Sequence, residues 1–282
     1  MNGVKVGIIG IGNMGSAHLR MITGGNIPDM TVTAVCDIDA KKLNAARNTY
    51  PALRVFEDYT DLLKNSDTNA VIIAVPHPLH AKIAIEAFKY GKHVLVEKPL
   101  EITVSADEDL CAAAEKSGKV FAIMFNQRTN GLFRKAREIV KSGELGETKR
   151  SVWIITNWYR TQSYYDSGSW RATWRGEGGG VLLNQAPHNL DIWQWICGSP
   201  SAVTAFCSVG KFHNIEVEDE ATIYAEYENG ATGVFITSTG DCPGTNRLEI
   251  TGTRGKIVLE NGILKLWKLN EDERDICKNA TE

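Results

Sequence analysis

The sequence predicts two unlike halves: a doubly wound α/β unit over residues 1–124, then an α+β unit over 125–282 with an open, mainly antiparallel sheet. Three observations predict this. Short β-branched runs alternate with helical patterns through the first half. Past residue 125 the pattern changes to successive strand-like runs parted by turn dipeptides. A glycine-spaced turn, Gly10-x-Gly12-x-x-Gly15, follows the first run and opens the first helix.

In order, the runs 4–9, 31–36, 70–75, 93–96 and 120–124 read as buried parallel strands, apolar enough to be covered on both faces. Helical patterns occupy 14–23, 40–49, 58–64, 79–90 and 105–117. In 79–90, Ile83, Ala84, Ala87 and Phe88 share one face, and Gly91 is placed to end the helix in a left-handed conformation. The repeated β-α-β order implies right-handed crossovers. In the second half, 148–158, 202–209, 221–227, 232–238, 247–251, 256–260 and 263–269 read as strands, with Asn261-Gly262 the strongest hairpin signal. Helices are expected over 132–141 and 182–196, and the polar tail 270–282 is expected to be mobile.

Bulk properties narrow the function classes. The chain has 282 residues, 43% hydrophobic and 23% charged, enough for two cores. A formal net charge of −3 offers no basic field for nucleic acid or an anionic membrane. No apolar stretch approaches the roughly 20 residues of a membrane span. Six cysteines lie at irregular spacing without a Cys-x-x-Cys pair, which predicts reduced thiols. With no leader-like N-terminus, the expected location is cytoplasmic.

The glycine turn sits where a dinucleotide fingerprint requires it. Gly10 permits the tight turn, Gly12 lets the backbone approach a pyrophosphate, and Gly15 allows the helix to pack on the strand. Asn13 and Met14, in the first helical turn, offer unpaired amides to phosphate. Asp37 ends the second run about 20 residues later, where an acidic side chain accepts the ribose hydroxyls. This predicts a Rossmann domain binding NAD; Lys41 and Lys42 keep NADP as the alternative. Pro76 and His80, in the Pro76-His77-Pro78-Leu79-His80 loop past the third run, are expected to brace the nicotinamide side, although either histidine there could simply cap the next helix.

Two segments carry candidate chemistry. Glu97-Lys98-Pro99 follows the run 93–96, so Lys98 reaches the same crevice and could accept a hydroxyl proton as hydride leaves carbon, with Glu97 beside it on the cofactor side or as its ion-pair partner. The run from Gly176 to Asp191 supplies His188, a second proton handler or hydrogen-bond donor. If the helix runs through Pro187, Asn184, His188 and Asp191 share a face. Lys98 and His188 are expected to meet at one substrate hydroxyl. Between them lies an aromatic and arginine-rich stretch including Trp153, Trp158, Arg160, Tyr164, Trp170 and Arg171. Trp158, Arg160 and Trp170 would suit a sugar, yet the same residue types cover sheets and form subunit interfaces. No histidine or carboxylate cluster has metal-ligand spacing.

Taken in order, the glycine fingerprint, Glu97-Lys98-Pro99 and the Gly178–Asp191 segment resemble the Gfo/Idh/MocA oxidoreductases across essentially the whole chain. The resemblance implies a Rossmann domain, then a domain whose open sheet mediates homodimers or homotetramers. It also implies NAD(P)-dependent oxidation or reduction of sugars, polyols or glycosides, with Lys98 and His188 catalytic. Asn184 stands where inositol-oxidising members often carry Asp, Ala186 replaces a frequent glycine, and the chain ends sooner than many relatives. Glycoside cleavage through transient oxidation and a non-catalytic dinucleotide-binding regulator are the alternatives.

Overall fold

The computed structural model describes residues 3–280. The chain separates into two compact units, Met1–Met124 and Phe125–Glu282.

The first unit runs β1 (Val4–Ile9), α1 (Asn13–Thr23), β2 (Met30–Cys36), α2 (Ala40–Thr49), β3 (Arg54–Phe56), α3 (Tyr59–Asn65), β4 (Ala70–Ile73), α4 (His80–Lys89), β5 (His93–Val96), α5 (Val104–Ser117) and β6 (Phe121–Ile123). Its six strands are parallel in the order β3-β2-β1-β4-β5-β6, so the winding reverses between β1 and β4. The unbroken apolar runs are explained by the two cores they serve. Val6, Ile8, Val35 and Ile72 pack with Leu19, Ile22 and Leu43 of α1 and α2 on one face. Ile9, Ala34, Cys36, Val71 and Ile73 pack with Leu62, Ile83 and Leu110 of α3, α4 and α5 on the other. Asp39, Asp58 and Thr103 cap α2, α3 and α5 with side-chain oxygens. Gly91 follows α4 with φ +69°. The strand β3 was not anticipated: three residues carry no periodic signal, and their pairing with Ala34, Val35 and Cys36 is what defines them.

The second unit contains α6 (Gly131–Lys141), β7 (Thr148–Ile155), α7 (Gln162–Tyr165), α8 (Pro187–Cys197), β8 (Ala202–Val209), β9 (Glu218–Glu226), β10 (Thr232–Ser238), β11 (Asn246–Gly252), β12 (Gly255–Glu260), β13 (Ile263–Lys268) and α9 (Glu273–Asn279). Its sheet has the order β13-β12-β11-β7-β10-β9-β8; only β7 and β10 pair in parallel. Phe133, Ile139, Ile192, Trp193 and Ile196 of α6 and α8 cover one face, over Trp153, Phe235, Leu248 and Ile250. On the opposite face the register aligns Phe206, Thr222, Ile236, Ile154 and Arg247 in one row, with Tyr224, Val234 and Val152 in the next. Phe206 is 74% exposed.

Two expectations are corrected. The tail expected to be mobile carries a helix, α9, capped by Asp272, whose carboxylate also accepts from Thr253 Oγ1 at 2.7 Å; residues 281–282 lie outside the described residues. The expected helix over 182–196 begins at Pro187 instead. A proline lacks the N–H an interior position needs but suits the first turn, so Asn184 lies in a turn ahead of the helix. Among the described residues no helix is long and apolar enough to cross a membrane.

Candidate active site

At the carboxyl ends of β1 and β4 the glycines divide their tasks. Gly10 has φ +87° and lies so close to β4 that a Cβ would stand 2.5 Å from Ala74 O. At Gly15 a Cβ would stand 1.8 Å from Gly10 O, while at Gly12 it would meet nothing within 4 Å. The turn is therefore closed beneath Gly15 and open above Gly12, at the amide-bearing end of α1, which fits a pyrophosphate. Asp37 is buried with Oδ2 accepting from Ile11 N and Oδ1 from Asp39 N, each at 2.9 Å, and Lys42 Nζ lies 3.5 Å away. Beside it, burial first and the carboxylates of Asp58 and Asp37 next push the Cys36 thiol up to about 12, so it stays protonated there.

The Glu97-Lys98-Pro99 turn leaves the end of β5 in the same unit. Glu97 is buried, receives His18 Nε2 of α1 at 2.7 Å, and accepts from the Lys98 amide at 3.3 Å. The Lys98–Pro99 peptide is cis, and Lys98 is half-buried. Glu97 thus joins His18 to the backbone of Lys98. Pro76 caps a short 3-10 turn over His77–Leu79. His80, expected to face the cofactor, is instead fully buried, with both ring nitrogens against backbone carbonyls.

In the second unit, His188 is the second residue of α8, half-buried, with its ring edge-on to Phe125 at a centroid distance of 5.9 Å. Asp191, one turn on, is gripped by both arms of Arg128 at 2.9 and 2.5 Å, a fork geometry that holds the guanidinium charge above its ordinary range. Asn184 donates its amide to Glu177 Oε1; the other Glu177 oxygen accepts from Ala172 N at 2.6 Å. Glu218 accepts from Gly180 N and Leu182 N at 2.9 and 3.1 Å. Two buried carboxylates therefore shape the glycine-rich segment.

The aromatic stretch separates into one core residue and several half-buried ones. Trp153 is fully buried in the sheet core. Trp158 donates to Asn189 Oδ1 at 3.1 Å, next to His188 in sequence. Arg160 lies over the Trp158 and Tyr164 rings, and Arg171 over Tyr164 and Trp170. His213 bridges Asp219, at 3.1 Å, and the Arg160 carbonyl, at 2.9 Å. Burial pushes the Tyr165 hydroxyl up to about 12, so at neutral pH it keeps its proton and donates it in a hydrogen bond to Thr239 Oγ1 at 3.0 Å. Sequence reasoning missed His18, Glu177, Glu218 and His213. Only Glu177, an acid inside a run of glycines, carried a local signal.

Residues 4–125 match the model of an oxidoreductase family with an NAD-binding Rossmann fold, and residues 133–258 match the GFO/IDH/MocA C-terminal domain. The chain belongs to the Gfo/Idh/MocA family of oxidoreductases. It is an NAD-dependent dehydrogenase by that membership. Among curated proteins it is 29% identical to the uncharacterized oxidoreductase YrbE of Bacillus subtilis, over 92% of this chain and 74% of that protein. It is 24% identical to the myo-inositol 2-dehydrogenase of Thermotoga maritima, over 92% of this chain and 75% of that protein. Among solved structures, the WlbA dehydrogenase of Chromobacterium violaceum, in complex with NADH and UDP-GlcNAcA, superposes with a TM-score of 0.88 at 26% identity, over 99% of this chain and 81% of that one.

Proposed function

We propose that this Gfo/Idh/MocA enzyme oxidises a carbinol carbon of a sugar, polyol or glycoside, or reduces the corresponding ketone, with Lys98 as its principal acid/base. The first unit is its dinucleotide-binding domain and the second its substrate and oligomerisation domain. Bound nicotinamide supplies the hydride acceptor or donor. Gly10, Gly12, Gly15 and the amides of Asn13 and Met14 cradle the phosphates, Asp37 receives the adenosine ribose, and Pro76, Glu97 and Lys98 border the nicotinamide end. Asp37 favours NAD over NADP, since a carboxylate holding two amides repels a 2′-phosphate.

The observation that carries the reading is the fixed backbone of Lys98 at the end of β5, held through Glu97 by His18. Its Nζ takes the substrate hydroxyl proton during oxidation and returns it during reduction. His188 Nε2 or Nδ1 donates to the substrate oxygen. Asn184, oriented by Glu177, holds a neighbouring hydroxyl but takes up no proton. Trp158, Arg160 and Trp170 provide the apolar face and hydrogen-bond donors that a cyclic polyol or sugar calls for. A relative that is a myo-inositol 2-dehydrogenase and another dehydrogenase that binds UDP-GlcNAcA lend support to that class.

The exposed Phe206 and Tyr224, in rows with Ile236, Ile154, Val234 and Val152 on the open sheet face, favour a homodimer or homotetramer joined there, and six free cysteines suit a reducing cytoplasm. The test is a panel of inositols, free sugars and nucleotide sugars with NAD, read by NADH absorbance, for wild type and Lys98→Met. Turnover should fall by about 10²–10⁴ with NADH affinity unchanged; equal turnover overturns the assignment.

A further inference from the structure

His188 is the second residue of α8, and Ala186, just ahead of the helix, brings no side-chain oxygen to cap that turn. The imidazole also turns about its own side-chain torsions. A group that must meet one substrate oxygen needs both freedoms removed. Asp191 lies three residues on, so it shares the helix face of His188. Its carboxylate accepts from both arms of Arg128, from Nε at 2.9 Å and from a terminal nitrogen at 2.5 Å. Arg128 belongs to the short 3-10 turn Asn126–Thr129, which follows Phe125. The Phe125 ring meets the His188 ring edge-on, and the Arg128 guanidinium lies over that same phenyl ring at 6.0 Å. Trp195, one turn beyond Asp191 in α8, also faces the guanidinium, at 5.7 Å. Arg137 of α6 covers the Trp195 ring in turn, at 4.7 Å, and donates Nε to the Trp195 carbonyl at 3.2 Å.

We propose that Arg128 is a positioning residue for His188: it holds the first turn of α8 through Asp191 and the imidazole through Phe125, so one planar group sets both where the ring stands and which way it faces. This rests on the reading of His188 as the donor to the substrate oxygen. An ion pair kept for stability alone would not need this shape. Solvent reaches 46% of the Arg128 side chain against 8% for Asp191, and ion pairs open to water contribute little. A lysine would supply the same charge. It would supply neither two parallel bonds to Asp191 nor a flat surface for Phe125 and Trp195. What the arginine adds over a lysine is therefore geometry, and the geometry converges on the residue that carries the donor.

The test places Arg128→Lys in two full-length backgrounds, wild type and His188→Ala, with folding checked by circular dichroism and turnover measured on the fastest substrate of the panel. In the wild-type background kcat should fall by about 10- to 100-fold, with NADH affinity unchanged. In the His188→Ala background the same substitution should change kcat by less than about twofold, since a residue acting through His188 has nothing left to act on. A merely structural loss would appear equally in both. Wild-type kcat in Arg128→Lys, or an equal loss in the two backgrounds, overturns the proposal. Phe125→Leu removes the ring contact and leaves the ion pair; it should repeat the pattern, and it carries the test if Arg128→Lys does not fold. Protein labelled at its histidine and phenylalanine rings needs no substrate. Overhauser contacts between His188 and Phe125 should be strong in the wild type and lost in Arg128→Lys; their persistence overturns the proposal. Wild-type turnover in His188→Ala instead overturns the reading of His188 beneath it. That failure is distinct from failure of the proposal alone, in which His188→Ala is slow and Arg128→Lys is not.

Discussion

Alanine at Gly12 and at Gly15 separates what the glycine turn does for the fold from what it does for the cofactor. At Gly15 the added Cβ would stand 1.8 Å from Gly10 O and 2.9 Å from Gly10 C, both backbone atoms, so α1 or the turn must move. Overpacking of this kind costs about 3 kcal/mol, which in a unit of this size lowers Tm by about 10 °C. At Gly12 the Cβ meets nothing within 4 Å, and φ −70°, ψ −155° is extended backbone open to any L-residue. The stability cost is then below about 1 kcal/mol, the small penalty of alanine at an N-cap. That same methyl fills the space a pyrophosphate must enter, so NADH affinity should fall at least about tenfold, or about 1.4 kcal/mol. Thermal unfolding by circular dichroism and NADH fluorescence titration, at one fixed salt concentration, measure the two effects. Wild-type NADH affinity in Gly12→Ala would refute the reasoning about the open cradle. Wild-type Tm in Gly15→Ala would refute the reasoning about the closed one.

Three further expectations follow from particular contacts. Asp37→Ala removes the acceptor for two backbone amides and the partner of Lys42, so the NADPH-to-NADH ratio of dissociation constants should fall by about tenfold, read by parallel fluorescence titrations. Asp58 caps α3, and its bonds from the Thr60 hydroxyl and amide hold its carboxyl below the ordinary range. A depressed folded pKa means that stabilisation is complete above the unfolded value and fades as pH falls through the folded one, so Asp58→Ala should cost about 1 kcal/mol near neutrality and nothing measurable in strong acid. Phe206→Asp places a charge beside Thr222 and Ile236 on the open sheet face and, under the proposed homo-oligomer, should reduce the mass seen by light scattering to that of the monomer, with the circular dichroism spectrum unchanged.

Much of the fold was legible because burial on both faces leaves a plain mark: Ile8 and Ile9 serve different cores and are therefore both apolar. The glycine fingerprint was legible for the opposite reason, since close backbone approach excludes every side chain at Gly10 and Gly15. What stayed hidden depends on contacts far apart in sequence. Arg54–Phe56 is a strand only because Cys36 and its neighbours pair with it, and α9 is held by Thr253 and by Arg274 on Glu147. The same holds at the site. Lys98 could be picked out from its place after a strand, but nothing local to Glu97 announces His18, 79 residues away, as its partner. His188 could be found from its setting, whereas the face it was expected to share with Asn184 disappears because the helix starts at Pro187.

That displacement also accounts for asparagine where an aspartate is frequent in the resembled family. Asn184 lies ahead of α8 and donates its amide to a Glu177 oxygen that is 1% exposed as a residue. An aspartate here would set two carboxylates at hydrogen-bond distance, and like charges so close cannot both ionise. It would also delete a hydrogen bond to a charged group, worth about 1.5–3 kcal/mol. Asn184→Asp should therefore melt below wild type at neutral pH and regain part of the difference as acid protonates the pair. Adding Glu177→Gln should restore much of the loss at neutral pH, because Gln can donate to the new carboxylate. If Asn184→Asp melts like wild type at neutral pH, Glu177 does not dictate the residue at 184, and the asparagine must be explained by the substrate alone.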